Sequence, residues 1–249
     1  MIERIQIGKV PIDKVDLPGA LAAIGAMIDS RTGGTIFTPN VDHIVLAEAD
    51  ERFRRAYQQV SLSLVDGTPV LWAARLLGRP LPEKVSGSDL VIPLMERAAA
   101  KGWRVFLLGG EPRSGEVATM RLKEQFPELK IVGTAGPRID LAGDLDERLA
   151  VARRVAEAAP DLVLVAFGAP KQEIFCEESR DILKPAVLLC VGAGIDFISG
   201  VARRSPAWMS RWGIEWLYRL AHEPRRLAGR YLVRDPQFIP ILLRQMLEK

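Results

Sequence analysis

Short apolar runs alternate with amphipathic stretches along the first 200 residues of the chain. The apolar runs predict strands, and a run without polar interruption, such as Leu162–Phe167, predicts a strand buried on both faces. Strands of that kind are typical of a parallel sheet covered by helices. The predicted strands are Thr35–Thr38, Ser61–Val65, Trp103–Leu108, Lys130–Thr134, Asp161–Phe167 and Ala186–Val191.

Helices are predicted between these strands, where apolar residues recur at helical spacing with charged residues elsewhere. The predicted helices are Val41–Gln58, Asp89–Lys101, Ser114–Phe126, Leu145–Ala159 and Lys171–Leu183. The alternation predicts an α/β fold with a mostly parallel, Rossmann-like sheet wrapped by helices.

The pattern changes near residue 200. Four side chains recur at every fourth position and are predicted to share one helical face: Trp208, Trp212, Trp216 and Leu220. Prolines at 224, 236 and 240 predict that the rest of this segment forms short helices. We therefore divide the chain into an α/β body, residues 1–200, and a helical appendage, residues 201–249, which we call the tail.

Charge separates the same two parts. The whole chain carries a formal net charge of +3, but the tail holds ten basic and four acidic residues, which leaves −3 on the body. A basic segment rich in tryptophan indicates an anionic partner, and a membrane surface with anionic lipid fits both features. The chain has no apolar run long enough to span a bilayer and no signal-peptide pattern at its start, so we expect a cytoplasmic protein.

Polar residues follow the first two predicted strands at the points where ligands of parallel sheets bind. Thr38 and Asn40 follow one strand and Asp66 follows the next. Each position has two interpretations. Thr38 or Asn40 caps a helix or contacts a ligand, and Asp66 caps the helix beginning near Pro69 or acts as a general base.

Two further strand ends are candidates for ligand contact. Gly109 and Gly110 lie between a strand and a helix, where backbone N–H groups can approach a phosphate, although the segment is neither a dinucleotide fingerprint nor a P-loop. Gln172 lies in the first turn of a helix, either as a donor to sugar hydroxyls or as an ordinary solvated glutamine.

A metal site is not predicted. The acidic triplet at Asp144–Asp146 has the spacing of a metal-binding motif, but it stands at the start of an amphipathic helix, where capping accounts for it. The two histidines, His43 and His222, are too far apart in sequence to indicate a metal cluster. We expect neither a metal nor another cofactor.

A series of short motifs runs in order over nearly the whole chain and resembles the WecG/TagA/CpsF family of bacterial glycosyltransferases. The motifs are Thr38–His43, Val65–Pro69, Ser86–Leu90, Phe106–Gly110, Phe167–Glu173, Val191–Gly194, Arg204–Trp208, Glu215–Leu220 and Glu223–Arg226. One departure is Ser205, where the family pattern leads us to expect alanine.

The resemblance implies an inverting, metal-independent transfer from a UDP-sugar, often UDP-N-acetylmannosamine or its uronic acid, to N-acetylglucosamine linked to undecaprenyl diphosphate. Such products feed wall teichoic acid or exopolysaccharide synthesis at the inner face of the plasma membrane, where the enzyme would be peripherally bound. The resemblance implies a catalytic base at Asp66, sugar contacts at Thr38, Asn40 and Gln172, and diphosphate contacts at Arg219, Arg226 and Arg230.

Two other classes of function remain as alternatives at this point. A Rossmann-type nucleotide-sugar epimerase or oxidoreductase would share the fold but lacks the early glycine fingerprint. A nucleic-acid-binding module would use the tryptophans and arginines of the tail, but the negative body and the ligand-like loops disfavour it, and we expect no nucleic-acid partner. The sequence leaves open whether the chain forms a homo-oligomer.

Overall fold

Six strands of the chain form one parallel sheet, as the buried apolar runs predict. The structure is a computed structural model that describes residues 2–206, 208–209 and 212–248, apart from the side chain of Arg226. Its strands are β1 (Arg4–Ile7), β2 (Val10–Asp13), β3 (Gly34–Phe37), β4 (Leu62–Ser63), β5 (Arg104–Gly109), β6 (Lys130–Ala135), β7 (Leu162–Ala166) and β8 (Val187–Cys190). The sheet order is β4-β3-β8-β7-β5-β6, and every pairing in it is parallel.

The antiparallel hairpin of β1 and β2 is a feature that the sequence pattern did not predict. Each strand has four residues, which is too short for a clear period in the sequence. The turn between them contains Gly8 with a φ of 55°, a left-handed conformation that glycine adopts readily. Gly8 is therefore the one feature of the sequence that indicates a turn between these two strands.

Helices cover both faces of the sheet. Their bounds are α1 (Leu17–Asp29), α2 (Val41–Ala49), α3 (Glu51–Gln58), α4 (Thr68–Leu76), α5 (Gly87–Lys101), α6 (Ser114–Gln125), α7 (Leu145–Glu157), α8 (Lys171–Leu183) and α9 (Gly194–Ser199). The prediction of one helix over 41–58 is wrong. The chain breaks at Asp50, whose extended backbone ends α2 and whose carboxylate caps α3 by accepting from the Phe53 N–H at 3.0 Å.

From β3 to β6 in the sheet order, the helices that follow neighbouring strands leave on opposite faces, at four places in all. Residues of α2, α3, α4, α7 and α8 pack into one core, whereas those of α1, α5, α6 and α9 pack into the other. Strand β3 therefore leads to one face and its neighbour β8 to the other, and the same holds for β7 and β5. Such switch points leave crevices at the carboxyl ends of the strands, where ligands of α/β sheets bind.

The tail forms short helices, but its predicted tryptophan face is wrong. The helices are α10 (Glu215–His222), α11 (Pro224–Ala228) and α12 (Phe238–Leu247), with a π-helical turn over Gly229–Arg234 and a 3-10 turn over Asp235–Gln237. Gly213, with a φ of 71°, lies between Trp212 and α10, so Trp212 and Trp216 do not belong to one continuous helix. A Cβ atom at Gly213 would lie 3.0 Å from the Thr68 side chain, so the break accompanies a close approach to α4.

The end of the tail is packed on the body. Helix α12 buries Phe238 and Ile241 in the core beside α2. Arg244 forms an ion pair with Glu48 of α2 at 3.1 Å, and the Gln245 side chain donates to the Gln6 carbonyl in the hairpin at 2.8 Å. Among the described residues, no helix is both long and apolar enough to cross a membrane.

Asp42 in the first turn of α2 holds the middle of the tail. Its carboxylate is 3% exposed and contacts two tail arginines, with Oδ1 2.9 Å from Arg234 Nη1 and Oδ2 3.3 Å from Arg230 Nε. A second carboxylate, Asp235, lies 3.9 Å from the same Arg230 nitrogen. Burial raises the pKa of Asp235 to about 6; Arg230 opposes the rise and Asp42 adds to it.

The raised pKa of Asp235 predicts a pH-dependent cost of folding. Because the folded protein holds this proton more tightly than the unfolded chain does, the free energy of unfolding falls as pH rises from about 4 to about 6. Asp235→Asn removes the ionisation. We expect the variant and the wild type to have similar thermal unfolding midpoints near pH 4, and the variant to have the higher midpoint near pH 7.

Asp181→Asn serves as the control, because the Asp181 side chain is 77% exposed and its removal leaves the tail contacts intact. The difference between that variant and the wild type should not grow between the two pH values. An equal stability of Asp235→Asn and the wild type at neutral pH would contradict the assignment.

Candidate active site

A cavity of about 300 Å³ lies between the carboxyl ends of β3 and β4 and the tail. The body supplies its floor from the segments that follow these two strands, and the tail supplies the opposite wall. Polar side chains from both parts face it: Asn40, Asp66 and Lys84 from the body, and Glu215, Arg219, Arg230, Tyr231 and Asp235 from the tail. The predicted residues Asn40, Asp66, Arg219 and Arg230 are therefore brought together in one place.

Asp66 is held at the cavity by its backbone. Its N–H donates to the Pro39 carbonyl at 2.8 Å, which ties the segment after β4 to the segment after β3. Helix α4 begins at Thr68 with Gly67 at its N-cap position, so Asp66 is not the N-cap residue. The Gly67 backbone has a φ of 109°, a conformation that places the helix start beyond Asp66 and leaves the carboxylate at the cavity wall.

The pKa of the Asp66 carboxyl is raised above its ordinary value. Burial is the main cause, because it disfavours the charged form, and the neighbouring charge of Glu215 adds to it. Lys84 and Arg219 oppose the rise without cancelling it. A carboxylate with a raised pKa accepts a proton more readily than an ordinary aspartate, which is the property that a general base needs.

Two tail arginines line the cavity. Arg219 lies 3.4 Å from Glu215 and its guanidinium is 5.7 Å from the centre of the Phe197 ring. Burial alone would lower the pKa of Arg219, but Glu215 and then Tyr231 and Asp66 raise it above the ordinary value, so it is a permanent cation. The other predicted arginine, Arg226, lies in α11, and its side chain is outside the described part of the chain.

Asn40 caps a helix and also faces the cavity, and its predicted contact with a ligand stays a prediction. It is the N-cap residue of α2, and it also lines the cavity, where its Oδ1 accepts from Arg230 Nη2 at 3.0 Å. Thr38 is 8% exposed and lies beside Gly87 at the start of α5 rather than in the cavity lining. The contact of Thr38 with a sugar stays a prediction.

Gln172 is buried rather than solvated, which removes the ordinary interpretation of this residue. It is 4% exposed, its Nε2 donates to Glu173 Oε1 at 2.7 Å, and its Oε1 accepts from the Gly192 N–H at 3.2 Å. These contacts place it behind the cavity wall, on the side of β7 and β8. Its predicted contact with the sugar is not tested by this arrangement.

Gly109 and Gly110 lie at the carboxyl end of β5, beside β7 and outside the cavity lining. Their φ angles are 100° and 88°, and a Cβ atom on Gly109 would lie 2.6 Å from the Ala166 carbonyl oxygen. The Gly110 N–H donates to that oxygen at 2.9 Å, and the Glu111 N–H donates to Asp196 Oδ1 at 2.8 Å. These two N–H groups are therefore used within the protein, and phosphate binding here stays a prediction.

The acidic triplet at Asp144–Asp146 caps a helix, as expected. The Asp144 side chain accepts from the Asp146 N–H at 3.0 Å and begins α7. Capping is therefore a sufficient reason for an aspartate at this position.

Sequence reasoning assigned no ligand role to five polar residues that line the cavity: Thr68, Lys84, Glu215, Tyr231 and Asp235. Glu215 begins the Glu215–Leu220 motif of the family resemblance, so the sequence did single it out, but without a role. Tyr231 and Asp235 lie on the tail and reach the cavity only because the tail docks on the body. Lys84 is brought beside Asp66 by the body itself, where the Val85 N–H donates to the Val65 carbonyl at 2.8 Å. Lys84 precedes the Ser86–Leu90 motif by two positions, which is the nearest signal for it.

Comparison with known proteins identifies the group to which the chain belongs. The sequence profile of the WecG/TagA/CpsF glycosyltransferase family matches residues 5–249. An N-acetylglucosaminyldiphosphoundecaprenol N-acetyl-beta-D-mannosaminyltransferase of Bacillus spizizenii is 30% identical over 87% of this chain and 81% of its own length. The protein of the same name from Bacillus subtilis is 32% identical over 80% of this chain and 75% of its own. The chain belongs to the WecG/TagA/CpsF family of glycosyltransferases.

Proposed function

We propose that the protein transfers N-acetylmannosamine or a related sugar from a UDP-sugar to N-acetylglucosamine on undecaprenyl diphosphate, with inversion and without a metal. The observation that carries the proposal is one cavity that holds a buried carboxylate with a raised pKa, Asp66, together with two arginines, Arg219 and Arg230. The names of the two Bacillus relatives support the acceptor and the sugar.

Asp66 is the proposed base. An acceptor hydroxyl attacks the anomeric carbon of the donor on the face opposite the diphosphate, and its proton passes to the Asp66 carboxylate as the new glycosidic bond forms. The bond to the diphosphate breaks in the same step and UDP departs, so the configuration at the anomeric carbon is inverted. The raised pKa of Asp66 favours its part in this transfer.

The departing diphosphate gathers negative charge, which fixed cations can stabilise in place of a metal. Arg219 and Arg230 line the cavity and have the forked geometry that suits phosphate oxygens. Arg226 joins them on the strength of the family resemblance. Thr38, Asn40 and Gln172 are proposed for the sugar on the same basis. Gly109 and Gly110 are proposed for a donor phosphate because they lie between a strand and a helix, where backbone N–H groups can approach one.

The lipid-linked acceptor implies a protein bound peripherally at the inner face of the plasma membrane. Exposed apolar side chains lie on α4, whose first residues line the cavity, and on the tail: Trp72 and Leu76 of α4 are 51% and 63% exposed, and Ile239, which lines the cavity, is 60% exposed. Trp208 and Trp212 of the tail are 53% and 73% exposed. Apolar anchors beside a basic segment favour binding to anionic lipid.

The same features support the division of the chain into a catalytic body, 1–200, and a tail, 201–249, that both anchors the protein and completes the site. Membership of a glycosyltransferase family sets aside the oxidoreductase and epimerase alternatives. A role in nucleic-acid binding is likewise not proposed, because the tail arginines that it would need already have partners in the cavity, as Arg230 has in Asp42.

The reaction and its base are tested together by measuring UDP release from UDP-N-acetylmannosamine with a short-chain diphospho-N-acetylglucosamine lipid. We expect the wild-type protein to turn over in the presence of excess EDTA. Asp66→Asn keeps the size of the side chain but removes the proton acceptor, and we expect turnover to fall roughly 10²-fold or more.

Circular dichroism and thermal unfolding of the Asp66→Asn protein provide the control for folding. Turnover close to that of the wild type in this variant would remove Asp66 from the role of base. Activity that disappears with EDTA and returns with manganese or magnesium would overturn the metal-independent part of the proposal.

The role of the tail arginines is tested on a water-soluble acceptor, for which membrane binding is irrelevant. If Arg219 stabilises the departing diphosphate, Arg219→Ala should lower turnover roughly 10²-fold on this acceptor. Arg225→Ala is the matched control, because Arg225 is an exposed arginine of the same tail, outside the cavity lining, and its loss should leave turnover unchanged. Equal rates for wild type and Arg219→Ala would reduce this arginine to a membrane contact.

A further inference from the structure

Two ionisable side chains are buried directly behind the cavity wall and have no part in the proposed chemistry. His43 in the first turn of α2 is 5% exposed, and Glu173 in the first turn of α8 is fully buried. His43 Nε2 lies 3.2 Å from Glu173 Oε1. The rings of Phe53 and Tyr57 pack against His43 with centroid distances of 5.7 and 6.3 Å. Burying such a pair costs free energy that an apolar pair would not, so its retention calls for a role.

The pair connects the two amide side chains that are proposed to contact the sugar. On one side, His43 Nδ1 lies 2.8 Å from Asn40 Oδ1, which also accepts from Arg230. On the other side, the Gln172 amide donates to the same Glu173 oxygen that faces His43. A continuous line of hydrogen bonds therefore runs from the cavity, through the buried pair, to the crevice beside β8.

The donors at the two ends of this line fix the direction of every bond in it. Arg230 only donates, so the Asn40 oxygen faces it and the Asn40 NH₂ group faces elsewhere. His43 Nδ1 must then donate to that oxygen. The Asn40 backbone N–H also points at Nδ1, but at 3.4 Å it is the longer of the two contacts.

The other end is fixed in the same way. The Gly192 N–H donates to Gln172 Oε1, so the Gln172 NH₂ group faces Glu173. The Glu173 oxygen accepts from this group and from His43 Nε2. With both ring nitrogens of His43 placed to donate, neither amide can turn over without losing a bond.

We propose that His43 and Glu173 are positioning residues that fix the orientation of the Asn40 and Gln172 amides for the donor sugar. The inference rests on the proposed function. It adds two positioning residues and a preference of the site for hydrogen-bond acceptors on the sugar. In the fixed orientation, the NH₂ group of Asn40 is left to donate to a ligand. Gln172 uses one hydrogen of its NH₂ group for Glu173 and has the second left to donate. The site is thus built to donate to oxygen acceptors of a sugar, such as hydroxyl or acetamido oxygens.

A positioning role predicts that the variants affect binding of the sugar but not binding of the nucleotide. UDP lacks the sugar, and Arg230 keeps its contact with Asp42 when Asn40 is disturbed. Disorienting the amides should therefore weaken binding of UDP-N-acetylmannosamine and leave binding of UDP nearly unchanged. A purely structural pair would instead affect both ligands to the same degree.

The test is calorimetric titration of UDP and of UDP-N-acetylmannosamine, without acceptor, into the wild type and variants. For Glu173→Gln and His43→Gln we expect about tenfold weaker binding of the UDP-sugar, which corresponds to one or two lost hydrogen bonds, and UDP affinity within about twofold of wild type. His43→Asn retains a donor at the position of Nδ1, next to Asn40, and should recover part of the loss.

Glu178→Gln is the matched control, because Glu178 lies on the same helix and pairs with Arg148 at 2.8 Å, away from the cavity. It should lower stability and leave both affinities unchanged. Parallel losses for UDP and UDP-sugar, or folded variants with wild-type affinity for both, would overturn the positioning role. A wild-type protein that binds no UDP would instead contradict the proposed function itself, and the positioning role would fall with it.

Discussion

The contact between the buried Asp42 carboxylate and the tail arginines is the interaction on which the site depends. Asp42 stands just after β3, where the sheet opens into the cavity, and Arg230 and Arg234 bring the tail to that point. A carboxylate that is 3% exposed would be strongly unfavourable without such partners. The requirement to neutralise one body residue therefore places Arg230 beside Asn40 and closes the cavity over Asp66.

Closing the cavity also brings groups of like charge together. Asp235 lies near Asp42, and Glu215 lies near Asp66, and the pKa values of Asp235 and Asp66 are raised by the same main cause, the loss of water around them. Arg230 contacts Asp42 and Asp235, and Arg219 contacts Glu215. In the proposed reaction, the diphosphate brings negative charge to the same arginines. Because the pKa values of Asp66 and Asp235 are raised, these carboxyl groups take up a proton more readily when the arginines turn to the diphosphate.

Most of the sheet could be predicted from the sequence, because a strand buried on both faces leaves an uninterrupted apolar run, as at Leu162–Phe167. The hairpin of β1 and β2 left no such run, and the break at Asp50 depends on one side-chain cap. In the site, Asp66 was found from its position at a strand end. Asp235 was not, because it reaches the cavity only when the tail docks, and Lys84 was not, because it lies in a loop with no strand-end position. The regular spacing of the tryptophans gave no sign of the break at Gly213.

The two-part construction has a consequence for how the substrates meet in the proposed reaction. The tail, which brings Arg219 to the cavity, also exposes Trp212 and the cavity-lining Ile239, where an apolar acceptor would approach. Contact of these side chains with a bilayer would hold the tail against the body at the same time as it brings the acceptor. The cations needed for departure of the diphosphate would thus be held most firmly where the lipid-linked acceptor is present, which limits loss of the donor to water.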